Sequence, residues 1–150
     1  MRLLHLFTFV FFLLMLAACD KEDNNGETIS GKWEAKSFVR TCQDTTENST
    51  LNFTNGCNIE FMDNANVGAG CVYLLFSENS FSTTIETKSL DGEVIKSDIT
   101  EGTYEIEDNK IKLSYPEGFI LEGTFNNDRN EIIIDVPHPT CTALNTYQKS

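Results

Sequence analysis

Tyr104-Glu105-Ile106-Glu107-Asp108-Asn109-Lys110-Ile111-Lys112-Leu113 reads as a β-hairpin. Apolar and charged residues alternate on both sides of Asp108-Asn109. Tyr104, Ile106, Ile111 and Leu113 therefore share one face, and Glu105, Glu107, Lys110 and Lys112 the other. Asp and Asn accept the backbone of a tight two-residue turn, which sets the register. By the same alternation Glu105 and Glu107 face solvent and do not form a general acid and base.

The pattern repeats outward from this hairpin. Phe119, Leu121, Gly123 and Phe125 match Ile132, Ile134 and Val136 across the polar turn at 126–130, and residues 71–76 match Phe81, Thr83 and Ile85 through 77–80. Further strands are expected over 32–39, between Glu93 and Thr100, and over 141–148. Gly, Asn and Asp punctuate the chain about every eight to twelve residues, and no helical stripe of useful length interrupts them. About eight sequential strands predict an all-β fold, an up-and-down antiparallel β-barrel. Closure of the first strand on the last removes the two edges that an open meander would expose.

The five cysteines are Cys19, Cys42, Cys57, Cys71 and Cys141. Without Cys19 an even number remains, which suits two disulfides in an oxidising compartment. Zinc is not expected, because no CxxC occurs and His138 is the single histidine beyond the leader. Closure brings the end of the first strand beside the start of the last, which favours Cys42 with Cys141 and leaves Cys57 with Cys71. Cys42 with Cys71 stays open as an alternative, since the second strand starts at the same end. The segment 41–70 between them is polar and Asn-rich. It is expected to be one long irregular loop at the barrel mouth, pinned by disulfide rather than by an apolar core.

Arg2, the largely apolar stretch 3–16 and the small residues Ala17 and Ala18 form an export signal, too short to span a bilayer. Leu16-Ala17-Ala18-Cys19 resembles the bacterial lipobox. That resemblance implies a signal peptide over 1–18, cleaved before Cys19, and lipid attachment at Cys19, whose two or three acyl chains would anchor the protein in a membrane. Residues 19–28 hold no large apolar side chain and should be a disordered tether. Asp20-Lys21-Glu22-Asp23 is similar to the surface-export signal of lipoproteins in the Bacteroidetes group, which implies an outer-membrane protein on the periplasmic or the cell-surface face. The folded domain then covers 29–150.

Cleavage removes Arg2 and leaves ten Lys plus Arg against 23 Asp plus Glu, a net charge of −13. Such a field repels phosphates, so no nucleic-acid partner is expected. Catalysis is not expected either. There is no GxSxG, both disulfides would consume every thiol, and His138 lies between Pro137 and Pro139, where a rigid turn accounts for it. No cofactor is implied, and a closed barrel is expected to be a monomer.

Ile29-Ser30-Gly31-Lys32-Trp33 resembles the GxW signature that opens the first strand of lipocalins. Gly102, Thr103, Tyr104, Ile106, Asn109, Lys110, Ile111 and Leu113 are similar to the lipocalin-like domains of Bacteroidetes lipoproteins. The resemblance implies that Trp33 plugs a closed end. The lipocalin TDY motif is missing, and in place of the arginine that covers the tryptophan the last strand offers only Lys149. An eight-stranded barrel is either filled by side chains or holds one small molecule. Twelve aromatic residues follow the leader, enough to fill it. If space remains, Trp33, Ala35, Tyr104, Ile106, Phe119 and Phe125 are the expected lining for a small apolar or amphipathic ligand, with no charged residue pointing inward. The alternative is a filled barrel whose mouth loops bind a protein or glycan partner.

Overall fold

The computed structural model describes residues 29–61 and 68–150. The leader over 1–18, Cys19 and the tether over 19–28 lie outside the described residues.

Among the described residues ten strands follow in order: β1 (Gly31–Cys42), β2 (Ser49–Asn52), β3 (Cys57–Asn58), β4 (Ala69–Phe76), β5 (Ser80–Lys88), β6 (Val94–Glu107), β7 (Lys110–Ser114), β8 (Ile120–Phe125), β9 (Glu131–Pro137) and β10 (Cys141–Lys149). From β4 to β10 each strand pairs antiparallel with the next, and β1 pairs with both β10 and β4. These eight strands close an up-and-down antiparallel barrel; β2 and β3 are additional. The hairpin at Asp108 has the expected register, with Ile106 opposite Ile111 and Glu105 opposite Lys112. Asp108 takes a φ of 55°, which a short polar side chain tolerates.

Two expectations are corrected. The strand near 93–100 and the first arm of the hairpin are one strand, β6, of 14 residues. Gly102 reads as a break in sequence, yet it lies where a Cβ would come within 2.5 Å of the Ser114 carbonyl and 2.7 Å of the Phe81 ring. Its missing side chain lets the strand run on. The segment 41–70 is not one irregular loop. It holds a 3-10 turn (Thr45–Glu47), β2 and β3, and it supplies Leu51, Phe53 and Phe61 to the core. β1 and β4 pair only over Gly31 to Glu34 and Tyr73 to Phe76. Above that they diverge, and β2 on β1 and β3 on β4 fill the wedge.

The expected disulfides are those in the structure, Cys42 with Cys141 and Cys57 with Cys71. Both join residues directly opposite each other on paired strands. The first fastens the seam between β1 and β10, and the second fastens β3 to β4.

The two barrel ends differ. One carries the turns β4–β5, β6–β7 and β8–β9 and is sealed by Trp33, which is fully buried with its Nε1–H donating to the Ile29 carbonyl at 2.8 Å. Phe76 and Phe125 each lie edge-on to the indole with centroids 6.1 Å away, and Lys149 Nζ stands 6.0 Å above it. The last-strand lysine therefore occupies the place over the tryptophan for which the sequence offered no arginine. The other end holds the Cys42–Cys141 disulfide, the β5–β6, β7–β8 and β9–β10 connections and the segment before β4.

Candidate functional site

Inward-facing side chains change in accessibility along the barrel axis. On β5 the series runs from buried Phe81 to half-buried Thr83 and Ile85 and returns to buried Thr87; on β8 it runs from buried Phe125 and Gly123 to half-buried Leu121. On β9 buried Ile132 and Ile134 give way to half-buried Val136, and on β10 buried Tyr147 gives way to half-buried Asn145 and Ala143. On these strands the layer nearer the open end is reachable from solvent, whereas β4 stays buried along its inward face from Phe76 to Gly70, and Thr87 and Cys42 are buried at the open end itself.

Two clusters of rings build the floor and one wall. Below, Phe81 meets Phe76 at 6.0 Å and Tyr115 edge-on at 5.1 Å. Beside β1, Phe38 packs on Phe53 at 4.5 Å, on Phe61 at 5.8 Å and on Tyr147 at 5.9 Å. Tyr115 reaches inward from the end of β7, where its hydroxyl and that of Thr83 are 3.0 Å apart. Burial pushes its phenol above the ordinary tyrosine range, and the bond to Thr83 opposes part of that shift. The open layer so presents hydrocarbon from Ile85, Leu121 and Val136 together with polar groups from Thr83, Tyr115 and Asn145. This combination suits a guest with an apolar body and a polar end.

Charged residues do share the inward face, contrary to expectation. Arg40 lies on the face of Phe38 and Cys42, its Nε 3.3 and 3.4 Å from the sulfurs of Cys42 and Cys141 and its guanidinium 3.4 Å from Glu47. Lys96 and Asp98 on β6 sit opposite Thr87 and Ile85, on the inward side. The β1 bulge between Ala35 and Ser37 turns Phe38 and Arg40 inward, so uninterrupted alternation misplaces them. The sulfurs near Glu47 belong to the disulfide and offer no thiolate to a metal.

The six side chains expected to line a pocket do not converge on one. Trp33, Ala35 and Phe125 are buried in the seal of the closed end. Tyr104 lies beside them, 5.1 Å from Phe76, with its hydroxyl donating to the carbonyls of Ser77 at 2.8 Å and Glu78 at 3.1 Å. Ile106 is 37% exposed, one pair before Glu107 and Lys110 close the hairpin. Phe119 is 48% exposed at the opposite end, 5.8 Å from Tyr115. Sequence reasoning missed Ile85, Tyr115, Leu121 and Val136 as a group, since nothing but position along the axis separates them from the buried residues of the same strands. His138 is exposed in the β9–β10 turn, its Nδ1 accepting from the Thr140 amide at 3.4 Å.

A concavity of about 630 Å³ lies on the outer wall across Glu105, Lys112, Glu122, Ile133, Asp135 and Leu144. It is open and shallow and belongs to the charged outer face of β6 to β10.

The closed meander defines an all-β, up-and-down antiparallel barrel with a sealed end and an accessible end. No family model and no curated protein matches the sequence. Among solved structures the chain is similar to a lipocalin-like protein from Bacteroides uniformis, at 13% identity and a TM-score of 0.44, over 81% of this chain and 97% of that one.

Proposed function

We propose that the chain is an extracytoplasmic lipoprotein, held at the outer membrane by acylated Cys19, whose lipocalin-like barrel binds a small apolar or amphipathic molecule at its open end. The observation that carries the binding half is the gradient of accessibility: buried at Trp33, Phe125 and Ile132, half-buried at Ile85, Tyr115, Leu121 and Val136. A guest resting on this layer removes apolar surface from water at roughly 25 cal/mol per Å² and displaces no ring from the seal. The lipobox at Leu16 to Cys19 supports the anchoring half.

Titration with a fluorescent long-chain amphiphile tests the site. Val136→Trp and Leu121→Trp fill the open layer and are expected to weaken uptake by roughly tenfold or more while the urea midpoint is retained. Ile133→Gln, on the outer wall, should leave uptake unchanged. Uptake that survives both tryptophans would refute the site. Cys19→Ser is expected to move the protein from the membrane fraction to the soluble one, and retention in the membrane would overturn the anchor.

The other reading, capture of a protein or glycan by the mouth segment, draws on the full exposure of residues 43–50. It is favoured if substitutions there, and not the two tryptophans, abolish capture.

A further inference from the structure

Barrel closure removes the edges of the first and last strands but leaves another. β7 ends at Ser114, opposite Thr103, so β6 pairs with β7 only from Thr103 to Glu107. Among the described residues β6 pairs over 94–101 with β5 alone, and every residue of that stretch is exposed. Ile99, opposite Thr84, is 63% exposed on the outward side, and Ile95, at the register shift, is 59% exposed. Proline, a bulge within the stretch or a run of like charge commonly blunts such an edge. Proline and a run of like charge are absent over 95–101, and the register shift that sets Thr87 opposite Lys96 and Lys88 opposite Val94 makes Ile95 a bulge at one end, so the flat edge is 96–101. Its central charges, Lys96 and Asp98, are of opposite sign and bridge to each other within the strand.

We propose that this edge of β6 pairs antiparallel with the same edge of a second copy, about a twofold axis at Ser97. The sequence selects that centre. A twofold axis normal to the sheet preserves faces, so one residue must meet itself and its neighbours must meet in reverse order. With Ser97 at the centre, Lys96 meets Asp98 of the second copy, twice. Ile99 of each copy comes to lie beside the Ile95 bulge of the other, at the two ends of the ladder. A centre at Lys96 or at Asp98 sets like charge on like. The ladder ends at the Ile95 bulge of each copy. The paired edges join two β4–β5–β6 sheets into one, cover the exposed isoleucines and place the two open ends side by side. The expectation of a monomer rested on closure having removed every edge, and β6 is the edge it leaves.

Sedimentation of the chain from Asp20 onward, which lacks the lipid, tests the pairing. The native chain should sediment as a dimer. Lys96→Asp alone and Asp98→Lys alone each place like charges opposite each other, and each should weaken association by roughly tenfold or more. A mixture of the two single variants restores opposite charges at both positions and should form a mixed dimer. Lys96→Asp with Asp98→Lys in one chain should dimerise with itself. All these positions are exposed, so the barrel tolerates the changes. A native chain that is monomeric at its highest soluble concentration overturns the proposal, as does a dimer indifferent to the single charge changes.

Discussion

Tyr147 ties one side chain to the pH range of the whole fold. It is buried beside Phe38, and burial holds its phenol neutral, well above the ordinary tyrosine range. Tyr104 and Tyr115 shift in the same direction for the same reason. An unfolded chain loses these protons near pH ~10, the folded chain only at higher pH. Between those values the unfolded state binds fewer protons, so stability is full below about pH 10 and falls as pH rises through the folded pKa. The urea midpoint is expected to stay level from neutral pH to about 10 and then to drop, less steeply in Tyr147→Phe. An equal drop in that variant would contradict the assignment. At this scale the sequence was legible where a residue type has one use: Trp33 as the seal, cysteines as disulfides, Asp108 in its turn. Depth was not legible. Ile106 and Ile111 face each other across one hairpin, yet the first is half out of the barrel and the second is 1% exposed. Alternation reports which side of a strand a residue occupies and says nothing of its height along the barrel.

Strand order was readable because antiparallel hairpins are local: alternation on both flanks of a polar turn is contained within one short window. The turn at 126–130 repeats the logic, with Asn126 Oδ1 accepting from the Asn130 and Glu131 amides at 3.1 Å each. β2 and β3 were not readable, since each is very short and fills a wedge that exists only once β1 and β4 diverge. Two apolar side chains, Leu51 and Phe53, in a polar segment carry too little pattern to announce a strand. Gly102 marks the other limit, a glycine that continues a strand. Gly102→Ala pushes a methyl group into Ser114 and Phe81, and overpacking of this kind costs about 1–3 kcal/mol. The urea midpoint should fall accordingly with the slope unchanged, and an unaltered midpoint would mean that β6 and β7 do not approach as described.

The whole molecule is a barrel held shut at one seam and open at one end. The two disulfides enclose very different lengths of chain, 99 residues apart for Cys42 and Cys141 and 14 for Cys57 and Cys71. In the chain-entropy view the longer loop contributes about 4.7 kcal/mol and the shorter about 3 kcal/mol. Replacing Cys42 and Cys141 together by alanine should therefore lower the oxidised protein's stability more than replacing Cys57 and Cys71. The reverse order would place the main constraint at the wedge instead of the seam. The proposed function rests on the other asymmetry. The sealed end uses Trp33, Phe76 and Phe125 for packing, and the half-buried layer of Ile85, Tyr115, Leu121 and Val136 is where a guest is proposed to sit. Native mass spectrometry of the oxidised protein after exposure to a bacterial lipid extract measures that most directly. One small molecule bound per chain, and lost in Val136→Trp, is the expected result. A bare protein mass in every condition, or an adduct that Val136→Trp leaves in place, would contradict a binding site at the open end.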